Sequence, residues 1–185
     1  MGKRLTLILG GARSGKSDFA QTLARARGGD DVLFLATAQA LDAEMDARIQ
    51  KHRQARPANW KTMEAARGLA QSLHNAPAAR IVVLDCVTLW VSNVMLADEN
   101  AATDAMAREL NDLLAWYRAS ECELIVVSNE VGMGLVPDNT LGRAYRDLLG
   151  GMNKLLAAAA DQVFFIVAGL PMEIKANAVR PEDMR

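Results

Sequence analysis

The 185-residue chain is 51% hydrophobic and balances 21 lysines and arginines against 22 aspartates and glutamates, a net charge of −1. That is enough chain to bury one substantial core and too little for two, so a single domain over residues 1–176 is expected, with 177–185 as a polar tail. The even balance leaves no broad field to hold nucleic acid or an anionic membrane, and no apolar run approaches the roughly 20 residues that cross a bilayer, so any phosphate binding must be local.

The first element is a short apolar run, Leu5 to Leu9, ending in two glycines and leading into helical spacing from Lys16 to about Arg27. This reads as strand, loop, helix. The loop, "GGARSGKS" at 10–17, satisfies G-x-x-x-x-G-K-S/T through Gly10, Gly15, Lys16 and Ser17. In that context the motif predicts a phosphate cradle: glycines bring amide N–H groups close, the helix N-terminus adds its dipole, Lys16 reaches the outer phosphates, and the Ser17 hydroxyl ligates Mg²⁺.

Nearly continuous apolar runs follow at 32–36, 80–85, 123–129 and 162–168. Such strands are buried on both faces, as in a parallel sheet. Helical stretches are expected between them at about 41–55, 64–74, 87–97, 102–119 and 139–160, so strand and helix alternate and helices cover both faces of one sheet. In the 102–119 stretch, Leu110, Leu113, Leu114 and Tyr117 form one stripe facing the core. Pro57, Pro77, Pro137 and Pro171 mark loops.

The stretch at 41–55 has a plausible start at Asp42 and contains one of the two histidines, in "IQKHRQAR". Leu41, Met45, Ile49 and His52 are spaced by four, four and three, which turns His52 inward with the apolar stripe while Lys51 and Arg53 flank it. The pattern alone admits a hydrogen-bonded core histidine, a solvated basic face, or a neutral imidazole that accepts a phosphoryl or nucleotidyl group while Lys51, Arg53 and Arg56 hold the phosphate oxygens. His74, near a helix end, fits a partner for the C-terminal carbonyls. Asp85, closing the run "IVVLD", is either the second Mg²⁺ handle that a phosphate loop requires or the N-cap of the following helix.

Cys86 and Cys122 lack C-x-x-C spacing, which fits a reduced, cytoplasmic setting. The basic and apolar opening of the chain runs into Arg13, Lys16 and Asp18 rather than a small-residue cleavage site, unlike a signal peptide.

Four segments in this order, "LGGARSGKS", "ATAQALDAEMDARIQKHRQARPANW", "VVLDCVTLWVSN" and "VVSNEVGMGLVP", resemble the bifunctional adenosylcobinamide kinase and adenosylcobinamide-phosphate guanylyltransferase family of cobalamin biosynthesis. The likeness runs from about residue 5 to Lys175. It implies an α/β, RecA-like P-loop NTPase fold: a three-layer sandwich with a mostly parallel central sheet and helices on both faces. It also implies phosphorylation of adenosylcobinamide by ATP or GTP, then transfer of GMP from GTP through a GMP-histidine at His52 to adenosylcobinamide phosphate, giving adenosylcobinamide-GDP. Further implications are a homotrimer and nucleotide contacts at Gly10, Gly11, Ala12, Arg13, Ser14, Gly15, Lys16 and Ser17, at Ala36, Thr37 and Ala38, at Arg53, Gln54, Ala55 and Arg56, and at Glu64 and Asp85. Lys51 stands where some relatives have a second histidine, and Ala55 where some have glycine. Two other readings of the residues are a P-loop kinase of another small alcohol, without nucleotidyl transfer, and a nucleotide-binding switch.

Overall fold

The computed structural model describes residues 2–40, 42–54 and 56–179. Leu41, Ala55 and residues 180–185 of the expected tail lie outside the described residues. In chain order the elements are β1 (Leu5–Gly10), α1 (Lys16–Gly28), β2 (Val32–Ala36), α2 (Ala43–Gln54), β3 (Lys61–Glu64), α3 (Leu69–His74), β4 (Ile81–Asp85), α4 (Val87–Ala97), α5 (Ala102–Ala119), β5 (Glu123–Val127), α6 (Thr140–Ala159), β6 (Gln162–Val167) and β7 (Leu170–Glu173).

The strands form one sheet in the order β3-β2-β4-β5-β1-β6-β7, with every pairing parallel except the last. The apolar runs become its centre because both of their faces find partners. Leu5, Leu7 and Leu9 of β1, Leu33 and Leu35 of β2, Val82 and Leu84 of β4, and Leu124 and Val126 of β5 pack into one core with α3, α4, α5 and α6. The alternate residues Ile8, Phe34, Val83 and Ile125 face the other way, where Ala20 and Ala24 let α1 approach closely. The expected stripe of α5 is in place: Leu110, Leu113 and Leu114 are buried and Tyr117 packs half-buried against the same core.

Two elements differ from the sequence expectation. Residues 64–74 are not one helix; Lys61–Glu64 is an edge strand, Gly68 turns with φ of 62°, and only Leu69–His74 is helical. In β3 only Met63 is half-buried, so no apolar run announces the strand. Pro171 lies inside β7 rather than in a loop, paired with Ile166 on the side where β7 meets β6. An edge strand tolerates proline because the missing N–H costs no ladder bond on its free side. Ala168 and Gly169, with φ of 50° and 82°, make the two-residue hairpin turn between β6 and β7.

The register brings the strand ends level with one another. Ala36 is aligned with Asp85, Asp85 with Val127, Ile8 with Val127, and Gly10 with Ile166. Residues after β1, β2, β4 and β5 therefore meet at one rim of the sheet, where α/β folds of this kind bind ligands.

Candidate active site

The loop of residues 10–17 sits on that rim, and its glycines are required by contact and by conformation. A Cβ at Gly10 would come within 2.5 Å of the Ile166 carbonyl oxygen and 2.8 Å of Ser14 Oγ. Gly15, at φ of 94°, is the left-handed residue that turns the chain into α1. Lys16 Nζ donates to the Gly11 carbonyl at 2.6 Å, so the ammonium stays folded over the loop. Burial pulls its pKa down, against the opposing charges of Cys86 and Asp85. The turn after β6 closes the loop from the far side, with Gly169 N–H donating to the Ser14 carbonyl at 2.9 Å.

Asp85 ends β4 and does not cap the next helix; the N-cap position of α4 is Cys86, which makes no side-chain capping bond. Burial raises the Asp85 pKa, while His52, a hydrogen bond from Ser17, Arg56 and Lys16 act in that order to lower it. All four thus act electrostatically on one carboxylate. Cys86 beside it is a free thiol pushed up to about 11, by burial first and Asp85 second, and is a poor nucleophile near neutral pH.

The region after β2 serves this corner from beneath. Thr37 is fully buried; its hydroxyl donates to the Cys86 carbonyl at 2.7 Å and accepts from Cys86 N–H at 2.9 Å. Its carbonyl accepts from Asn93 Nδ2 at 2.8 Å. Ala36 is buried and Ala38 half-buried, so of the three positions only Ala38 opens toward the cleft.

Helix α2 stands apart. Asp42 starts it as expected, accepting from Met45 N–H at 2.7 Å. No α2 side chain that is described is fully buried, however, and His52 is exposed, not turned into the core with Met45 and Ile49, which are half-buried. The face inferred from the spacing is therefore not the one that packs: from α2 it is Asp46, Ile49, Gln50 and Arg53 that line the neighbouring cleft. The reading of His52 as a core histidine is excluded. Arg53 reaches Glu64 at 2.8 Å across the mouth of a cleft of about 430 Å³ lined by Ala38, Gln39, Asp46, Ile49, Arg53 and Glu64, among others. Gln54 and Lys51 are exposed. Glu64 ends β3, which corrects its placement at a helix start. His74 Nδ1 lies 2.7 Å from the Ala70 carbonyl, the helix-end role expected of it.

Arg56 was one of several cations in the sequence and is singular in the fold. Its guanidinium lies 3.8 Å over the Phe34 ring, and Nε and Nη1 are buried without hydrogen-bond partners. Desolvation lowers its pKa most, with Asp85 opposing. Among the described residues the only other buried side-chain polar atom without a partner is Ser14 Oγ in the glycine-rich loop. Buried polar atoms are nearly always paired, so orphans confined to one rim point to a polar ligand there.

A sheet with a glycine-rich phosphate loop on its C-terminal rim, backed by a carboxylate, a serine hydroxyl and arginines, defines a P-loop nucleotide-binding transferase. Residues 6–174 match the family described as cobinamide kinase / cobinamide phosphate guanyltransferase, and the chain belongs to that family. It is 45% identical over 170 residues to the bifunctional adenosylcobalamin biosynthesis protein CobP of Pseudomonas aeruginosa, covering 91% of this chain and 96% of that one. It is 42% identical over 185 residues to the corresponding protein CobU of Salmonella typhimurium, covering 92% of this chain and 99% of that one. The CobU of Escherichia coli is 40% identical over 184 residues, with 92% and 99% covered. Among solved structures, the flagellar accessory protein FlaH of Methanocaldococcus jannaschii superposes with a TM-score of 0.48 at 15% identity, covering 91% of this chain and 74% of that one. The protein is thus a bifunctional cobinamide kinase and cobinamide phosphate guanylyltransferase of cobalamin biosynthesis.

Proposed function

We propose that one rim carries both reactions, with adenosylcobinamide and its phosphate as acceptors and His52 as the covalent carrier of GMP. The observation that carries this is the pair of orphaned buried polar groups, Ser14 Oγ in the phosphate loop and Nε and Nη1 of Arg56; the charges of His52, Arg56 and Lys16 and the Ser17 hydroxyl all favour the ionised Asp85 carboxylate nearby. In the first reaction the terminal phosphate of ATP or GTP, held by loop amides and Lys16, passes to the aminopropanol hydroxyl. In the second, an imidazole nitrogen of His52 attacks the α-phosphorus of GTP; an N–P bond forms, the bridging α–β P–O bond breaks, and pyrophosphate leaves. A phosphate oxygen of adenosylcobinamide phosphate then attacks that phosphorus, the N–P bond breaks, and the imidazole is regenerated. Arg56 and Arg53 hold the phosphate oxygens during both steps.

Mg²⁺ fits the residues present: the Ser17 hydroxyl and the Asp85 carboxylate are hydrogen-bonded hard oxygen donors beside the phosphate loop. Mg²⁺ is typically held by one or two such protein groups plus phosphates and water. When bound it would offset phosphate charge. The guanine base is assigned to the cleft between α2 and the end of β3, where the Glu64 carboxylate offers acceptors to the N1–H and amino group that adenine lacks. The remaining nucleotide contacts are taken to be Gly10 to Ser17, Ala36 to Ala38, Gln54 and Ala55.

This reading has residues 1–176 as one kinase and guanylyltransferase domain, in a cytoplasmic homotrimer. Free Cys86 and Cys122 are compatible with a reducing compartment, and no described helix is long and apolar enough to cross a membrane. An apolar surface for contact between copies is available on edge strand β7, where Leu170 and Met172 are exposed.

The test is covalent labelling. GTP labelled at the α-phosphate should give an acid-labile, alkali-stable adduct in the parent protein and none in His52→Ala; an adduct that persists in the variant removes His52 from the mechanism. Lys16→Ala should abolish kinase turnover.

A further inference from the structure

The phosphate loop accounts for the nucleotide, but none of the residues described so far presents a surface for a macrocyclic acceptor. The segment between β5 and α6 is pinned at both ends. At its start Asn129 N–H donates to Thr88 Oγ1 at 3.1 Å, the Asn129 carbonyl accepts from Asn153 Nδ2 at 2.9 Å, and Glu130 N–H donates to the Gly10 carbonyl at 3.1 Å. At its end Asn139 Oδ1 accepts from Gly142 N–H at 2.7 Å, and Arg143 Nη1 donates to the carbonyls of Pro137 and Asp138 at 3.0 and 2.9 Å.

Between these anchors the chain turns large apolar side chains to solvent: Met133 is 77% exposed, Leu135 96% and Val136 66%. Just beyond the segment's end, Leu141 on α6 and Leu96 on α4 are also exposed and line an apolar cleft of about 310 Å³ with Met95 and Tyr145. Tyr145 is itself tied to α4, its hydroxyl donating to the Thr88 carbonyl at 3.1 Å. An apolar strap held in place by hydrogen bonds at both ends and left uncovered marks an interaction surface.

We propose that this strap, Val131 to Val136 with Leu141 and Leu96, is where the corrinoid acceptor docks. The inference rests on the cobinamide kinase and guanylyltransferase activity given above. Two observations select this occupant. Glu130, the residue before the strap, is hydrogen-bonded to Gly10, the first residue of the phosphate loop, so a molecule lying on the strap would bring its hydroxyl-bearing arm toward phosphates held by that loop and Lys16. A corrin macrocycle also presents methyl-rich apolar faces with carboxamides around its edge, and its alkylcobalt(III) form is a cation. Glu130 and Asp138 border the apolar stretch, while the neighbouring cation, Arg143, is turned onto Pro137, Asp138 and Thr140.

The full chain carrying Leu135→Ser and Val136→Ser tests the assignment. The expected result is a KM for adenosylcobinamide raised at least tenfold, with kcat at saturation, nucleotide KM, GTP adduct formation and sedimentation all as in the parent. An unchanged corrinoid KM overturns the proposal, as does a variant that changes oligomeric state, which would make the patch a contact between copies. Loss of adduct formation alongside the KM effect also overturns it, since the strap would then be acting on the nucleotide. A parent protein that does not turn over adenosylcobinamide at all would overturn the activity itself, a distinguishable outcome. In the parent, adenosylcobinamide should slow hydrogen exchange of the amides in 131–136 and GTP alone should not; exchange indifferent to the corrinoid refutes the docking site independently of any variant.

Discussion

Thr37→Val isolates a single oxygen beneath the site. The Thr37 hydroxyl holds both polar groups of the Cys86 backbone, and valine matches threonine in shape while removing that oxygen. The Cys86 carbonyl keeps a second donor, Trp90 N–H at 3.2 Å, so the loss falls on the Cys86 N–H. An orphaned buried donor costs about 1–3 kcal/mol. For a chain of this length each kcal/mol moves Tm by about 2–4 °C. Thr37→Ser keeps the oxygen and removes one methyl, worth about 1 kcal/mol. Calorimetry should therefore rank parent above Ser above Val. Turnover adds a second reading, because Cys86 follows Asp85 directly: a displacement of about 1 Å at a reacting group costs on the order of 10²-fold, so kcat should fall in the Val variant even well below its Tm and recover in the Ser variant. A Val variant as stable and as active as the parent, or better than Ser on either measure, would refute the account of Thr37 as the support of the Asp85 corner.

Asp85→Asn should raise Tm while eliminating transfer. Because burial lifts the folded-state pKa of Asp85, its contribution to stability is fully present below the ordinary value of 3.8 and is lost as pH rises through the folded value, so the stability gain of the Asn variant should grow as pH rises above 3.8 and vanish as pH falls toward it. Arg27→Ala should destabilise by about 3–5 kcal/mol in urea denaturation with kcat unchanged, since it strips the partner from the buried Glu123 carboxylate at 3.2 Å and from Thr6 and Gln162, at the N-terminal ends of the strands, opposite the rim that carries the phosphate loop. Glu64→Gln should raise the KM for GTP about 10- to 100-fold, the equivalent of a charge-assisted hydrogen bond of about 1.5–3 kcal/mol, and leave the KM for ATP unchanged; its half-exposed pairing with Arg53 is worth only about 0–1 kcal/mol, so Tm should not move.

The central strands and the phosphate loop were legible because their signals are local. A run such as "VLFLA" can be satisfied only by burial on both faces, and the glycine, lysine and serine spacing specifies its own turn. β3 and β7 were not legible for the corresponding reason: an edge strand buries one side at most, so "KTME" shows no alternation strong enough to compete with the helix-forming residues after it, and the proline in "LPME" reads as a loop until the free edge that tolerates it is known. His52 illustrates a further limit. Periodicity places it on a face with Met45 and Ile49 but carries no information on what that face meets, and His52 is exposed where those two are half-buried. Arg56 and Thr37 needed three-dimensional contacts altogether. Nothing in "RQARP" singles out a guanidinium stacked on Phe34, a residue 22 positions earlier, and nothing in "ATAQ" shows that one hydroxyl will hold the backbone after a strand some 50 residues away.

If one rim carries both reactions, as proposed, strand order gives a physical reason why it can address two different phosphorus atoms. From the end of β3 to the end of β1 the sheet crosses β2, β4 and β5, four spacings of about 4.8 Å, or roughly 19 Å. That is comparable to the length of an extended nucleoside triphosphate. On the assignment above, guanine at Glu64 and the outer phosphates at Lys16 leave the α-phosphorus between them, near Asp85, the carboxylate on which Arg56 and His52 both act electrostatically. The γ-phosphorus then falls at the β1 end, beside the strap that starts at Glu130. On this proposal the two acceptors would approach from opposite ends of the same nucleotide, His52 from α2 and the corrinoid hydroxyl from the strap. A nucleotide seated in the reverse direction would put its γ-phosphorus by His52 and its base against the phosphate loop, where the backbone amides and Lys16 offer a base nothing that they do not offer better to phosphate. On the proposed assignment, then, the loop sets the direction of the nucleotide, and the order of the strands separates the two chemistries.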